Sequence, residues 1–487
     1  MELVKWCWDV NGIATKRKTM KTTIKLPGAV ILGVGLFISG CAKKQMTSFQ
    51  SLKNPEVAAQ LKSFVAEKEA QEGKLIEVDE KDFAKYYAKD LSHLVLPDCQ
   101  PFFAAAAKGD WQTVSNLWSE MEKHTLGLSK ATNGYPHGMW LQPVRETYCA
   151  IEAFAVGDEK YSTAFGNDII ESIPPGSIYF GGTDPGRFLV TALQKSHLDG
   201  NPFFTLTQNA LADGAYLDYL RSMCGDKIYI PTREDSQKCF QDYMEDVQKR
   251  MQNNQLKPGE DIHVDSSGRM QVSGQVAVME INGLLVKIIF DKNPDREFYI
   301  EESFPFDWLY PYLEPHGLIF KINHQPLPGL SDEIVGQDHD YWRSLVRPMI
   351  GDWLNDDTPV EQVAAFAKKT FGKQDFSGFT GDPRFIQNAY SHRMFSKLRS
   401  SIAGLYAWRL KQAADASEKE RMAHEADFAY RQAWALCPDS PEAVFRYVNL
   451  LMEQKRLADA LIVAETAAQM PANQGKDGGQ YAPWLNN

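Results

Sequence analysis

The stretch that decides the fold is SIYFGGTDPGR, residues 177–187. Its first four residues, 177–180, form a mostly apolar run of strand length, and the two glycines that follow permit a tight turn. Pro185 suits the first turn of a helix, and the apolar residues that begin at Phe188 continue it. The stretch therefore predicts a strand, a turn and a helix in direct succession.

Further strand and helix patterns follow within residues 173–330. Strands are predicted at 202–207, 227–230, 275–279, 284–290 and 317–322, and a helix is predicted at 306–314. Strands that alternate with helices favour right-handed crossovers and a parallel sheet. We therefore predict an α/β domain with a central Rossmann-like sheet, parallel or mixed.

Helical patterns flank this domain on both sides. Residues 96–172 carry apolar side chains at helical spacing, with a Gly-Asp break between two of the helices. This pattern resembles a degenerate tetratricopeptide hairpin and equally an ordinary helical bundle. The sequence pattern predicts a helical connector at residues 331–415 and a disordered tail at residues 475–487.

The chain contains an internal repeat within residues 416–474. Ala426 and Ala460 are 34 residues apart, as are Ala433 and Ala467, and two prolines close the units. Tetratricopeptide repeats have this period and place small residues where paired helices touch. The pattern predicts a tetratricopeptide-like pair that binds protein partners.

The N-terminal residues 1–40 have the pattern of a bacterial lipoprotein signal. A basic segment precedes an apolar run at 29–38, and two small residues precede Cys41. The run is about half the roughly 20 residues that a spanning helix needs, so a lipid at Cys41 is the predicted anchor. Met20 begins a complete signal by itself, which suggests that residues 1–19 reflect a misassigned start.

Removal of this signal leaves 447 of the 487 residues, enough for roughly two to four domains. Residues 41–95 are polar and weakly periodic, which is typical of a tether followed by a lead-in helix. The net charge of −11 argues against nucleic acid as a partner and against electrostatic binding to anionic lipid. We expect a protein of the bacterial cell envelope that faces the periplasm and is held at the membrane by its acyl chains.

The cysteines signal neither a zinc site nor a disulfide framework, because their spacing is irregular and no CxxC occurs. Those after Cys41 are Cys99, Cys149, Cys224, Cys239 and Cys437. A bridge between Cys224 and Cys239 is compatible with an oxidising periplasm, but separate buried thiols are the favoured interpretation.

The candidate ligand site lies at the predicted carboxyl edge of the sheet. There, glycines let the backbone approach a ligand, and a helix N-terminus offers free N–H groups. Its predicted residues are Gly181, Gly182, Asp184, Arg187, Gln208, Asn209 and Asp213. We expect Gly182, Asp184 and Arg187 to be exposed at the mouth of a pocket, with Asn209 opposite. The alternative is structural: Asp184 caps the helix and the glycines only turn the chain.

No familiar catalytic constellation accompanies this edge. The sequence has no HExxH motif and no Gly-x-Ser-x-Gly elbow, and Glu301 and Glu302 are adjacent acids rather than a spaced pair. His339 lies between two aspartates, where a solvated helix start is favoured over a metal ligand. We predict no catalytic residue, no metal and no cofactor, and we expect binding rather than catalysis.

Residues 170–325 resemble the extracytoplasmic portion of a bacterial multi-pass membrane family that is similar to protein O-mannosyltransferases. The resemblance rests on the Asp-bearing loop in 179–184, on the strand and Tyr-Leu helix of 203–217, and on a Pro-Tyr-Leu-x-x-x-Gly-Leu segment in 308–322. The membrane part, where such transferases place their catalysis, is absent from this chain. The resemblance therefore implies a shared soluble module and carries over no activity.

These patterns favour a lipid-anchored envelope protein that acts as a binding or scaffold module. Its helical repeats would bind protein, and its α/β domain would bind a glycan or sugar ligand. The alternative is an enzyme or accessory subunit that acts on glycans or phosphorylated sugars at the sheet edge. A third hypothesis is a purely structural scaffold without a ligand pocket.

Overall fold

The computed structural model describes residues 48–86, 98–131, 138–182, 185–194, 203–257, 259–264, 270–302 and 306–471. The predicted signal, Cys41, Asp184 and the predicted tail lie outside these residues. The described chain is mostly helical and includes a small mixed sheet. The predicted combination of an α/β region with additional helices is confirmed.

The helices are α1 (Pro55–Tyr86), α2 (Gln100–Ala106), α3 (Trp111–Ala131), α4 (Leu141–Ala155), α5 (Glu159–Ser172), α6 (Pro185–Leu193), α7 (Gly214–Cys224), α8 (Arg233–Gln252), α9 (Gln275–Lys292), α10 (Asp332–Ile350), α11 (Val360–Ala367), α12 (Pro383–Gln387), α13 (Ala389–Gln412), α14 (Ala416–Leu436), α15 (Pro441–Glu453) and α16 (Leu457–Ala468). The strands are β1 (Ser177–Gly181), β2 (Phe203–Thr207), β3 (Asp261–Val264), β4 (Met270–Ser273), β5 (Phe298–Ile300), β6 (Leu313–His316) and β7 (Ile319–Ile322). Within the described ranges, no helix combines the length and the apolar character needed to cross a bilayer.

The described residues divide into two compact units, each assembled from separate stretches of the chain. The helical unit comprises residues 48–51, 62–148 and 208–293 where they are described, and the sheet unit comprises 52–61, 149–207 and 294–471.

A buried ion pair lies in the core of the helical unit. Lys68 Nζ is 2.6 Å from Glu146 Oε2, with side chains 1% and 5% exposed. The hydroxyl of Tyr219 on α7 donates to the same carboxylate over 3.0 Å. These bonds satisfy charges that would otherwise be costly to bury.

The sheet unit contains five strands in the order β2-β1-β5-β7-β6. β1 pairs in parallel with β2 and with β5, whereas β7 pairs antiparallel with β5 and β6. Ile178, Tyr179 and Phe180 of β1 are fully buried, as expected for a central parallel strand. The predicted strands at 177–180, 202–207 and 317–322 are therefore confirmed.

Other predicted elements are wrong. Residues 275–279 and 284–290, predicted as strands, belong to the single helix α9. Short apolar runs look alike in buried strands and buried helices, and the two predicted strands were separated only by residues 280–283, which end in Asn282-Gly283. Residues 227–230 contain no strand, and the predicted helix at 306–314 is replaced by a short 3₁₀ turn that leads into β6.

Paired helices form the C-terminal part of the sheet unit. α13 packs along α14, and α15 packs against both α14 and α16. The side chains of Asn388, Asp415 and Ser440 accept backbone N–H groups and so cap α13, α14 and α15. Short connections between packed neighbours make each pair a helical hairpin.

Candidate functional site

The predicted ligand edge is located where β1 and β5 end side by side. β2 and β5 lie on opposite sides of β1, so the chain reverses direction across the sheet between β1 and β5. Such a reversal creates the crevice in which parallel sheets usually bind ligands. At this edge the turn after β1 lies beside the residues that follow β5, with the Glu301 N–H bonded to the Phe180 carbonyl.

A carboxylate of the chain itself occupies this edge. Glu301 follows β5, is 1% exposed, and accepts the backbone N–H of Gly182 at 2.6 Å through Oε2. Gly186, in the first turn of α6, lies directly against it: a Cβ there would be 2.0 Å from Glu301 Cδ. The glycine-rich turn thus accommodates an internal carboxylate near a helix N-terminus, where negative charge is favoured.

A lysine from a distant helix completes this cluster. Lys397 Nζ on α13 is 3.0 Å from Glu302 Oε1 and 4.0 Å from Glu301 Oε1. Glu302 is 4% exposed, whereas the lysine side chain is 27% exposed. Sequence reasoning set the two acids aside as adjacent, and no local pattern connects them with Lys397.

The expected exposure of the predicted site residues at this edge is wrong. Gly181, Gly182 and Arg187 are buried, and the Arg187 guanidinium lies 4.9 Å over the ring of Phe188. Asp184 is outside the described residues, so its ligand and capping roles both stay predictions.

The remaining predicted residues, Gln208, Asn209 and Asp213, belong to the helical unit. Asp213 caps α7 by accepting the N–H of Ala215 at 2.9 Å, and burial raises the pKa of its carboxyl. Gln208 is fully buried, and neither of its amide atoms has a hydrogen-bond partner. A buried amide without partners costs about 1–3 kcal/mol, and the Oδ1 atom of Asn209 in the same loop is likewise buried without a hydrogen-bond partner.

His339 and its flanking aspartates do not converge on a metal site. Asp338 forms a fully buried ion pair with Arg399 at 2.7 Å. His339 lies inside α10 and hydrogen-bonds Glu425 of α14, which raises the pKa of the imidazole. The histidine is a packing and charge partner between two helices.

One group of possible metal ligands does occur in the described residues: His392, Cys437 and Asp439, all buried. The described cysteines are all buried free thiols, including Cys224 and Cys239, as the favoured interpretation expected. Cys437 is the thiol in this group.

A surface pocket of about 740 Å³ lies between the end of α10, α11 and the loop 375–380. Aromatic rings form part of its wall: Trp353 and Phe366 have centroids 4.6 Å apart, and Phe366 and Phe379 have centroids 6.0 Å apart. Its lining also includes Arg347, Lys369, Asp352, Asp375, Ser377 and Thr380. Rings beside charges of both signs and hydroxyl groups suit a polar ligand with an apolar face.

The chain matches no protein-family model, and comparisons with curated proteins and with solved structures found no match.

Proposed function

We propose that this protein is a lipid-anchored component of a bacterial cell envelope that acts as a binding or scaffold module. The signal that ends at Cys41 supports the anchor and the periplasmic location. Helical hairpins with a 34-residue spacing support a tetratricopeptide-like stack that binds protein. One observation carries the proposal: the last helical face of this stack is exposed.

The inner face of α14 shows how the stack is built. Asp427 accepts a hydrogen bond from the Tyr447 hydroxyl of α15 at 3.0 Å. The rings of Tyr430 and Trp434 lie 6.1 and 6.2 Å from that of Tyr447. All three α14 residues are buried, because the next hairpin covers them.

The equivalent face of α16 lacks this cover. A shift of 34 residues carries the three α14 positions to Leu461, Ala464 and Ala468. Leu461 is 57% exposed, and the two alanines are partly exposed. The stack therefore offers at its end the surface on which another helix would pack.

Large exposed apolar side chains concentrate on this last hairpin. Of the six in the described residues, four lie on α15 and α16: Phe445, Met452, Leu457 and Leu461, at 52–64% exposure. Exposed apolar groups of this kind mark protein interaction sites. The occupant we propose is an apolar helix of a partner protein, which continues the stack as an additional repeat would.

The test is site-specific photo-crosslinking in intact membranes with the full chain. A photoreactive residue at position 461 should yield a discrete adduct, and the same residue at exposed Leu256 of the helical unit should not. Leu457→Glu, at 64% exposure, should abolish the adduct while leaving the thermal unfolding temperature unchanged. An adduct pattern that is the same from both positions, or one that Leu457→Glu leaves intact, would contradict the proposal.

A glycan or sugar ligand is the second part of the proposal, and the aromatic pocket supports it. Sugar rings stack on aromatic faces while their hydroxyls bond charged and polar groups, and the wall around Trp353 offers both. Saturation-transfer NMR with soluble N-acetylglucosamine oligosaccharides should detect binding that Trp353→Ala abolishes and that Trp308→Ala, elsewhere in the sheet unit, preserves. If the oligosaccharides receive no saturation transfer from the wild-type protein, the sugar-binding part of the proposal is refuted.

The alternative, an enzyme that acts on glycans or phosphorylated sugars at a Rossmann-like edge, has less support. It rests on the resemblance to the O-mannosyltransferase-like family and on the strand reversal between β1 and β5. The carboxylate of Glu301 in that edge would repel a phosphate, so an anionic sugar is disfavoured there.

A further inference from the structure

Three different metal-ligating side chains meet where the α14–α15 turn packs on the start of α13. His392 lies in the first turn of α13, Cys437 directly follows α14, and Asp439 lies in the turn before α15. They are 4%, 0% and 8% exposed. They are thus closed off from bulk water and are held by well-defined helix ends.

The thiol lies between the other two groups. Cys437 Sγ is 3.0 Å from His392 Nδ1 and 3.1 Å from Asp439 Oδ1. The three potential ligand atoms all lie within 4.8 Å of one another. The second carboxylate oxygen, Oδ2, faces Arg393 Nη2 at 3.4 Å, which leaves Oδ1 directed at the sulfur.

This order of groups excludes a nucleophilic triad. In such triads the imidazole lies between the nucleophile and the carboxylate, so that the acid orients the base. Here the carboxylate contacts the thiol instead, and burial denies a substrate access. The arrangement is that of ligands around a common point.

The donor set is the one that zinc prefers. Zinc binds thiolate, imidazole and carboxylate with bonds of about 2.0–2.3 Å, which places tetrahedral ligand atoms about 3.5 Å apart. The two measured separations therefore need to widen by only about 0.5 Å to admit an ion.

We propose that His392, Cys437 and Asp439 bind a zinc ion, with water as the fourth ligand. On binding, the Cys437 S–H bond breaks, its proton passes to solvent, and a zinc–sulfur bond forms. Arg393 faces the second carboxylate oxygen of Asp439, Oδ2, as an outer-shell partner. The ion would fasten the turn between the two hairpins to the start of α13 and so fix the geometry of the repeat stack.

The test uses the full chain in detergent with a tag that contains no histidine. Cells grown with cobalt in place of zinc load the buried site during folding. The purified wild type should hold one cobalt ion per chain and show the near-ultraviolet band of thiolate-to-cobalt charge transfer. Cys437→Ser should lose the band, whereas Cys224→Ser, at another buried thiol, should keep it.

Stability gives a second readout. Protein purified from zinc-supplemented cells should unfold at a higher temperature than protein depleted by a chelator during refolding, because an ion that binds only the folded state stabilises it. Asp439→Asn, which keeps the size of the side chain, should reduce this shift. If Cys437→Ser fails to fold, the wild-type cobalt spectrum decides the question alone.

A folded wild type without the charge-transfer band would overturn the proposal and assign the cluster as a hydrogen-bonded network. Cobalt bound without that band, or with a band that survives in Cys437→Ser, would do the same. Neither result bears on partner binding at α15 and α16, which the crosslinking experiment tests separately.

Discussion

Replacing Gly186 by alanine should destabilise the sheet unit, although alanine is the better helix former. In an open helical position the exchange stabilises by up to about 1 kcal/mol. At Gly186 the new Cβ would lie 2.0 Å from Glu301 Cδ, and ordinary contact begins at 3.4 Å. The carboxyl group must therefore withdraw by about 1.4 Å.

The magnitude follows from what this withdrawal breaks. It removes the 2.6 Å hydrogen bond from the Gly182 N–H to the buried carboxylate. A bond to a charged acceptor contributes about 1.5–3 kcal/mol, and overpacking costs a further ~1–3 kcal/mol. After the helix gain is subtracted, we expect the free energy of unfolding to fall by about 1.5–5 kcal/mol.

The assay is urea unfolding followed by circular dichroism, combined with hydrogen exchange on peptides that cover β1 and α6. The control is Gly336→Ala in α10, where a Cβ meets nothing within 4 Å. That variant should be neutral or more stable than the wild type. In Gly186→Ala, the loss of protection from hydrogen exchange should be largest in the peptides of β1 and α6.

A double-mutant cycle tests the cause. Glu301→Ala removes the atoms that clash, so Gly186→Ala should become neutral or stabilising in that background. The sign of its effect should thus reverse. If Gly186→Ala lowers the free energy of unfolding equally with and without the Glu301 carboxyl group, then the carboxylate does not require glycine at this position. That result would refute the reasoning.

Ala433→Leu and Ala467→Leu should each lower the free energy of unfolding by about 1–3 kcal/mol in thermal denaturation, because both alanines are fully buried between helices; an unchanged melting temperature would contradict the packing. Cys41→Ser should release the protein from the membrane fraction or leave its signal uncleaved. A variant with unchanged size and unchanged detergent partitioning would contradict the predicted lipid anchor. His339→Gln should lower the free energy of unfolding by about 1 kcal/mol between pH 4.5 and 6.5, and by less above and below this range. The hydrogen bond to Glu425 raises the pKa of His339 from 6.5, so its contribution is lost as pH rises through the raised value. Burial raises the pKa of Glu425, but the His339 bond and charge outweigh it, so the net pKa lies below 4.5 and the carboxylate's contribution is lost as pH falls through it; a pH-independent cost in urea titrations would contradict this coupling.

The sheet edge shows which structural features can be predicted from the sequence and which cannot. The run at 177–187 predicted β1, the turn and α6 because each depends on neighbouring residues alone. It did not reveal that Glu301 fills the turn, since the two partners of that hydrogen bond are 119 residues apart. The sequence had offered Glu301 and Glu302 only as adjacent acids.

Residues 275–290 illustrate an ambiguity of a different kind. Their apolar runs fit buried strands as well as a buried helix, because a short continuous apolar run cannot be assigned to either by periodicity alone. Only the packing of α9 in the helical unit decides between them.

The sequence by itself determined the elements with strong local patterns: β1, β2, α6 and the C-terminal helices with their 34-residue spacing. It also supplied the prediction of a lipid anchor at Cys41, which rests on residues adjacent along the chain. Only tertiary structure joined His392 to Cys437, 45 residues away, and exposed the α16 face at Leu461. The physical reason is that periodicity and turn chemistry act over a few residues, whereas burial and side-chain partners depend on which distant segments pack together.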